Sequence, residues 1–225
     1  MNRVTLSMLG AVAAGLVAVA ASGCISPGSL GYLLRDTKAK PEHPLPAIKD
    51  KKEIAVLIIG SRSQNLGMDP MFAAIDRQLP GLIARQMMAD TKDEKHPIVV
   101  IEQSKLDKWK QTSGADIRTV SPAAVGKQLG ADYVIDVTVN AMSVFQPELA
   151  REFCKGKASV DVVVFDCSQL DKKLQEYTHN STQPERSTGA MSPKDYAKWF
   201  TERLAKEIAF RHIPHDSNER LAMIK

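Results

Sequence analysis

Six consecutive apolar residues, Ile54-Ala55-Val56-Leu57-Ile58-Ile59, closed by Gly60, set the strictest condition on how this chain folds. A half-exposed strand alternates apolar and polar residues, whereas a continuous run is stable as a strand covered on both faces. Helices supply such cover, and helical signals follow at once. After a polar stretch, Ser61 to Met68, read as a loop, Asp69-Pro70 puts Pro at the first position of a helix. Phe72, Ile75, Leu79, Leu82, Ile83 and Met87 then recur at helical spacing. Pro80 lies inside that run and is expected to kink it or split it in two, since it brings no N–H to the ladder.

The alternation continues. Pro97-Ile98-Val99-Val100-Ile101-Glu102 reads as a second buried strand, and Ser104 as the cap of a short helix carrying Leu106 and Trp109. Ser121-Pro122 opens another helix, with Ala124, Val125 and Leu129 on its apolar side and Gly130 at its end. Tyr133 to Val144 is a long strand: Tyr133, Ile135, Val137 and Val139 face one way, Val134, Asp136, Thr138 and Asn140 the other. A loop near Gln146-Pro147 returns the chain into Ala158 to Cys167 as an antiparallel hairpin, and Leu174 to His179 adds a shorter edge strand. Past a polar loop at 180–190, Ser192-Pro193-x-Asp195 opens the last helix in the manner of a capping box. Its apolar stripe is Tyr196, Trp199, Phe200, Leu204 and Ile208. Strand–helix–strand–helix–strand favours parallel pairing with right-handed crossovers, to which the hairpin adds antiparallel strands. The expected class is α/β (α+β), a mixed sheet of about five strands with flanking helices, over residues 53–213.

The N-terminus carries an address. No charged side chain occurs between Arg3 and Arg35, and Met8 to Ala21 is built of Met, Leu, Gly, Ala and Val. That run is shorter than the roughly 20 residues of a membrane span and matches the core of an export signal. Ala21-Ser22-Gly23-Cys24 follows directly and resembles a lipobox, where the chain is cut between Gly23 and Cys24 and the thiol is lipidated. Small residues before the cut let an extended chain enter a peptidase, and the thiol carries the diacylglycerol. Ala21 stands where Leu is commoner, and Arg3 is the only charge of the n-region. Cleavage at an Ala-x-Ala-type site and an uncleaved N-terminal anchor are the alternatives; each also places the domain away from the cytoplasm. Neither Ile25 nor Ser26 is acidic, so outer-membrane attachment on the periplasmic face is the default. Residues 1–23 are then a signal peptide, 24–52 a Pro- and Gly-containing tether and 214–225 a polar tail. The tether holds Pro27, Pro41, Pro44 and Pro46, an apolar knot of Leu30, Tyr32, Leu33 and Leu34, and would reach roughly 30 Å if flexible.

Composition narrows the function. A formal charge of +4 with 25% charged residues, Lys and Arg interleaved with Asp and Glu, builds no single-sign field for nucleic acid. With Cys24 lipidated, Cys154 and Cys167 remain. A continuous strand between them would hold them on the order of 30 Å apart or more, so both are expected free and buried. His212-Ile213-Pro214-His215-Asp216 offers three potential ligands, but Pro214 breaks the helix that would align the imidazoles, and a solvated helix end is the simpler account. His43, His96 and His179 read as surface residues. Asp136 and Asp161 fall on neighbouring strands as a paired-carboxylate candidate, against exposed positions on a half-solvated face. Ser61, Ser63 and Ser104 have no sequence-placed base, Gly60 and Gly67 are too sparse for a phosphate loop, and Tyr196, Trp199 and Phe200 fit core packing better than a ligand stack. No catalytic residue, cofactor or metal site is expected.

The order of motifs resembles a lipoprotein group that includes the curli-secretion channel lipoproteins, the penicillin-binding-protein activator lipoprotein and the N-terminal domain of TolB. The resemblance runs through Ile54 to Ile59, Ile98 to Leu106, Ala123 to Ile135 with its Gly130-Ala131-Asp132-Tyr133 turn, Val160 to Asp166 and Leu170 to Leu174, roughly residues 53–210. It implies a TolB N-terminal-domain-like fold and a non-enzymatic envelope accessory protein that works through protein contacts, often through ring assembly. The curli channel's two long membrane hairpins have no counterpart here, so pore formation is not implied. The expected function is a lipid-anchored periplasmic scaffold or assembly factor, bound to the membrane through Cys24, with an envelope protein or a second copy as partner. The alternative is a small-ligand or glycan-binding module using the loop at 61–69.

Overall fold

In the computed structural model, which describes residues 38–62, 70–114, 119–145, 153–169, 172–183, 186–187 and 191–217, the apolar run is the core of β1 (Ile54–Arg62). Further elements of the domain are α1 (Pro70–Thr91), β2 (Ile98–Val100), α2 (Gln103–Ser113), α3 (Pro122–Leu129), β3 (Tyr133–Phe145), β4 (Phe153–Asp166), β5 (Lys173–Thr182), β6 (Arg186–Ser187) and α4 (Pro193–Phe210). The sheet runs β2-β1-β3-β4-β5, with β6 pairing β4 as well. β1 pairs in parallel with β2 and β3, and β3-β4-β5 is antiparallel. Among the described residues, a mixed sheet of five main strands with four helices is the expected fold class.

Both faces of β1 are covered, as the continuous run requires. Val56 and Ile58 join Tyr133, Ile135, Val137, Val160, Val162 and Val164 beneath α1 and α4. Leu57 and Ile59 join Val134 and Cys167 beneath α2 and α3, through Leu106 and Val125. The expected apolar face of β3, Tyr133 to Val139, therefore lies in the larger core layer, and of the opposite face Val134 enters the smaller one. The Gly-Ala-Asp turn holds strands together through Asp132. Its backbone N–H donates to Ala55 O (2.7 Å), and its C=O accepts from Cys167 N–H (2.9 Å). Its carboxylate also accepts from Ala55 N–H at 2.9 Å and pairs with Lys51. One aspartate thus ties the starts of β1 and β3 to the end of β4.

Several boundaries differ from the sequence expectation. α1 is one helix through Pro80, neither split nor ended there. Pro removes a single ladder hydrogen bond, and burial of Leu79, Ile83 and Met87 on the sheet outweighs that loss. β1 continues through Ser61 and Arg62, paired with Thr138 and Val139, so the polar loop starts later. β2 is three residues long and lies at the sheet's edge, which leaves Val99 43% exposed, not buried. Thr91 anchors it: its Oγ1 accepts from Ile98 N–H (3.0 Å) and donates to Met87 O (2.8 Å). Ser104 does not cap α2. Glu102 holds the N-cap position, and the Ser104 hydroxyl donates to the Glu102 carboxylate. β5 extends to Thr182 because it follows β4 over its whole length, well past the expected end at His179. Within the expected tether, residues 43–48 meet the domain: Leu45 and Ile48 pack on the larger core layer, and Pro44 and Pro46 carbonyls accept hydrogen bonds from Gln175 and Tyr133.

Candidate functional site

α1 and α4 lie side by side on one face of the sheet, each burying one stripe downward. Their outer flanks face each other across a groove of about 530 Å3. α1 contributes Leu82, Arg85, Gln86 and Ala89; α4 contributes Trp199, Glu202, Arg203 and Lys206. Both sets follow i, i+3, i+4, i+7 spacing, so each is a straight stripe about 10 Å long on its helix. Trp199, expected as core with Tyr196 and Phe200, packs against that core with its ring 5.4 Å from Tyr196, and its outer side lines the groove. Tyr196 and Phe200 are fully buried, whereas Trp199 is half-buried with Arg203 over its ring at 5.4 Å. Trp and Arg lining a concave surface is the side-chain chemistry of contact hot spots. The sequence reading named Leu82 and Trp199, each in an apolar stripe, and missed the other groove residues. Their shared spacing on two long helices was the available signal.

Beneath α4 lies a polar cluster that no sequence pattern announced. Glu207 accepts from Gln183 Nε2 at 2.7 Å, meets His179 Nε2 at 3.1 Å and reaches Arg203 Nε at 3.4 Å. Burial alone would raise its carboxyl pKa, but hydrogen bonds from His179 and Ser181 and the charges of His179 and Arg203 outweigh burial and lower it. Glu207 is therefore ionised, and the histidine donates. His179, Ser181 and Gln183 are all buried, which corrects the surface reading of His179. β5 turns His179 inward because its register with β4 puts it opposite Val160.

Two further histidines, His212 and His215, also lie inside. His212 is 3% exposed and does not end a solvated helix. Its Nδ1–H donates to the His43 carbonyl and its Nε2 accepts from the Tyr177 hydroxyl, both at 2.9 Å. Burial, chiefly, pushes its pKa down to about 4. His215 is buried too, stacked on Phe210 with ring centroids 4.2 Å apart. Pro214 sends the two imidazoles into different surroundings, so they do not converge. His43 stacks on Tyr177 at 4.2 Å, and His96 Nδ1 meets the Lys51 carbonyl at 3.1 Å.

Asp136 and Asp161 share a sheet face as diagonal neighbours, Asp136 opposite Val163 and Asp161 opposite Thr138. Both are partly buried, and Asp161 accepts from the Thr178 hydroxyl at 2.7 Å. Cys154 and Cys167 are free and buried, as expected, in separate core layers. Burial, helped by Asp166 and Asp132, raises the Cys167 thiol to about 11, which makes it a poor nucleophile. Gly23, Cys24, the knot at 30–34, Ser63 and Gly67 lie outside the described residues, as does most of the 61–69 loop. Among the described residues no helix is long and apolar enough to cross a membrane, and none of them form a group of three or more His, Cys, Asp or Glu placed to hold a metal ion.

No family model matches this sequence, and no curated protein matches it. Similar solved structures include a hypothetical protein from Chlamydia trachomatis, 16% identical over 71% of this chain and 95% of that one, with a TM-score of 0.42. A lipoprotein from Neisseria meningitidis is 14% identical over 69% of this chain and 98% of its own, with a TM-score of 0.40. The PelC dodecamer from Paraburkholderia phytofirmans is 11% identical over 76% and 94%, with a TM-score of 0.36. At these identities and scores the likeness carries no function across to this chain.

Proposed function

We propose that this chain is a non-enzymatic, lipid-anchored scaffold or assembly factor on the periplasmic face of the outer membrane, acting through protein–protein contacts. The observation that carries it is the groove between α1 and α4, where Trp199, Arg203, Arg85 and Lys206 are presented by two rigid helices. A site on paired helices holds its geometry better than one on loops. The anchor rests on the charge-free run ending at Gly23-Cys24. The kinship with the curli-channel, penicillin-binding-protein-activator and TolB group rests on the strand and Gly130-Ala131-Asp132 motifs, and the contact role it implies agrees with the groove. The partner is an envelope protein or a second copy, and no cofactor, metal or nucleic acid enters this reading.

One observation favours a second reading, a glycan or small-ligand module. Trp199 lies beside Gln86 and Glu202, an aromatic face with polar neighbours of the kind sugars stack on. Quantitative crosslinking with mass spectrometry on intact cells separates the two. Wild type should capture defined envelope proteins, Cys24→Ala should lose them, and Ala89→Arg, which fills the groove, should lose at least one while staying at the membrane. If wild type captures nothing, the contact reading fails. A rise in melting temperature with envelope glycans would then favour the ligand module.

A further inference from the structure

Residues 42–48 lie across the domain outside any helix or strand, and the domain meets them as a protein meets a bound peptide. Pro44 and Pro46 fix their own φ angles and disfavour the helical region for the residues before them, and the chain bends at Glu42–His43 before running on irregularly through 44–48. A chain of this kind makes few hydrogen bonds with itself, so its carbonyls are free to be read by side chains. Here three of them are read. His43 O accepts from His212 Nδ1 at 2.9 Å, Pro44 O from Gln175 Nε2 at 2.9 Å and Pro46 O from the Tyr133 hydroxyl at 3.0 Å. The His43 N–H donates to Arg211 O at 2.7 Å, and the Glu42 carboxylate pairs with the Arg211 guanidinium at 3.1 Å. Side chains add shape. His43 lies flat on Tyr177, with ring centroids 4.2 Å apart and planes 8° from parallel, and the Arg211 guanidinium sits 5.2 Å from the same ring. Leu45 and Ile48 enter the edge of the larger core layer.

The receiving groups come from β3, β5 and the end of α4, elements held by the sheet and by Asp132 independently of the segment. We propose that Tyr133, Gln175, Tyr177, Arg211 and His212 form a recognition site for a proline-containing segment with a carboxylate at its N-terminal end, filled in cis by residues 42–48 and open to exchange with the same segment of a second copy. Aromatic stacking on the ligand combined with side-chain donors to its carbonyls is how proline-containing peptides are bound in general. The inference stands apart from the scaffold reading, since it needs neither the groove nor the anchor.

The test titrates an acetylated, fluorescein-labelled peptide of residues 40–49, Lys-Pro-Glu-His-Pro-Leu-Pro-Ala-Ile-Lys, into the full chain in detergent, read by anisotropy. The receiving chain carries Glu42→Ala, His43→Ala and Leu45→Ala, which weaken its own segment. Saturable binding is expected to this variant, at least about tenfold weaker binding to wild type, where the cis segment competes, and none for a peptide of scrambled order. Adding Arg211→Ala should weaken binding by about tenfold or more, as loss of a charge-assisted contact does. Absence of binding to a variant that still melts cooperatively, or equal binding of the scrambled peptide, overturns the proposal. Should the triple variant not fold, Glu42→Ala alone is titrated, with binding tighter than to wild type expected and equality counting against the site.

Discussion

Gly126 lies where α3 crosses β3, and a Cβ added there would stand 2.3 Å from Val134 Cγ2 and 2.6 Å from Cys167 Sγ. Neither neighbour can yield without moving the smaller core layer, so Gly126→Ala should destabilise by about 1–3 kcal/mol, seen as a lower urea midpoint at unchanged slope. Gly156 is under the same restriction from the Phe200 ring. His212 makes stability depend on pH with a definite sign. Its folded pKa of about 4 lies below the ordinary histidine value of 6.5, so the unfolded chain binds more protons between those limits. The neutral imidazole therefore contributes stability that is complete above about pH 6.5 and lost as pH falls to about 4, on the order of 3 kcal/mol. Glu207, whose folded pKa is lowered, contributes stability that is present above its unfolded pKa and lost as pH falls through the lowered folded value. Urea midpoints from pH 7 to 4 should fall for wild type and fall less for His212→Gln; parallel falls would sink this account.

At the scale of elements, helix starts separate two serines that look alike in sequence. Ser192 accepts from Asp195 N–H and donates to the Asp195 carboxylate, closing the expected box at the start of α4. Ser121 precedes Pro122 in the same way but makes no side-chain cap, and its buried hydroxyl has no hydrogen-bond partner among the described residues. Ser192→Ala should cost about 1 kcal/mol and Ser121→Ala should be near neutral, both read from thermal unfolding. Periodicity located the strands and helices well because burial on a sheet imposes it. It failed at β2, where an edge position removes cover from Val99; at Pro80 the helix is not split in two, because packing keeps it whole. The docked stretch 43–48 showed no periodicity because much of its contact runs through backbone carbonyls, which every sequence has, and its side chains meet the domain outside any regular element.

At the scale of the molecule, the proposed anchor and the domain answer to different tests. Cys24→Ala should move the protein from the membrane to the soluble fraction while leaving its melting temperature unchanged, because both core layers are built from residues 45–213. A melting shift of several degrees would mean that the N-terminal segment is part of the folded unit. The groove and the docked segment belong to this scale as well. α1 and α4 are separated by about a hundred residues in sequence, and residues 42–48 meet side chains from β3, β5 and the end of α4.

The amino-acid sequence by itself determined the doubly covered strand, the helix–strand alternation, the Ser192 cap and the free, buried state of Cys154 and Cys167. All of these follow from local periodicity, chain geometry or the chemistry of one turn. Only the tertiary structure decided that His179, His212 and His215 lie inside, that Trp199 lines a groove as well as packing on Tyr196, and that Asp132 fastens three strands. A buried polar group is acceptable only where partners from distant elements satisfy it. Those partners are set by register and crossover, which act over separations that no local pattern encodes.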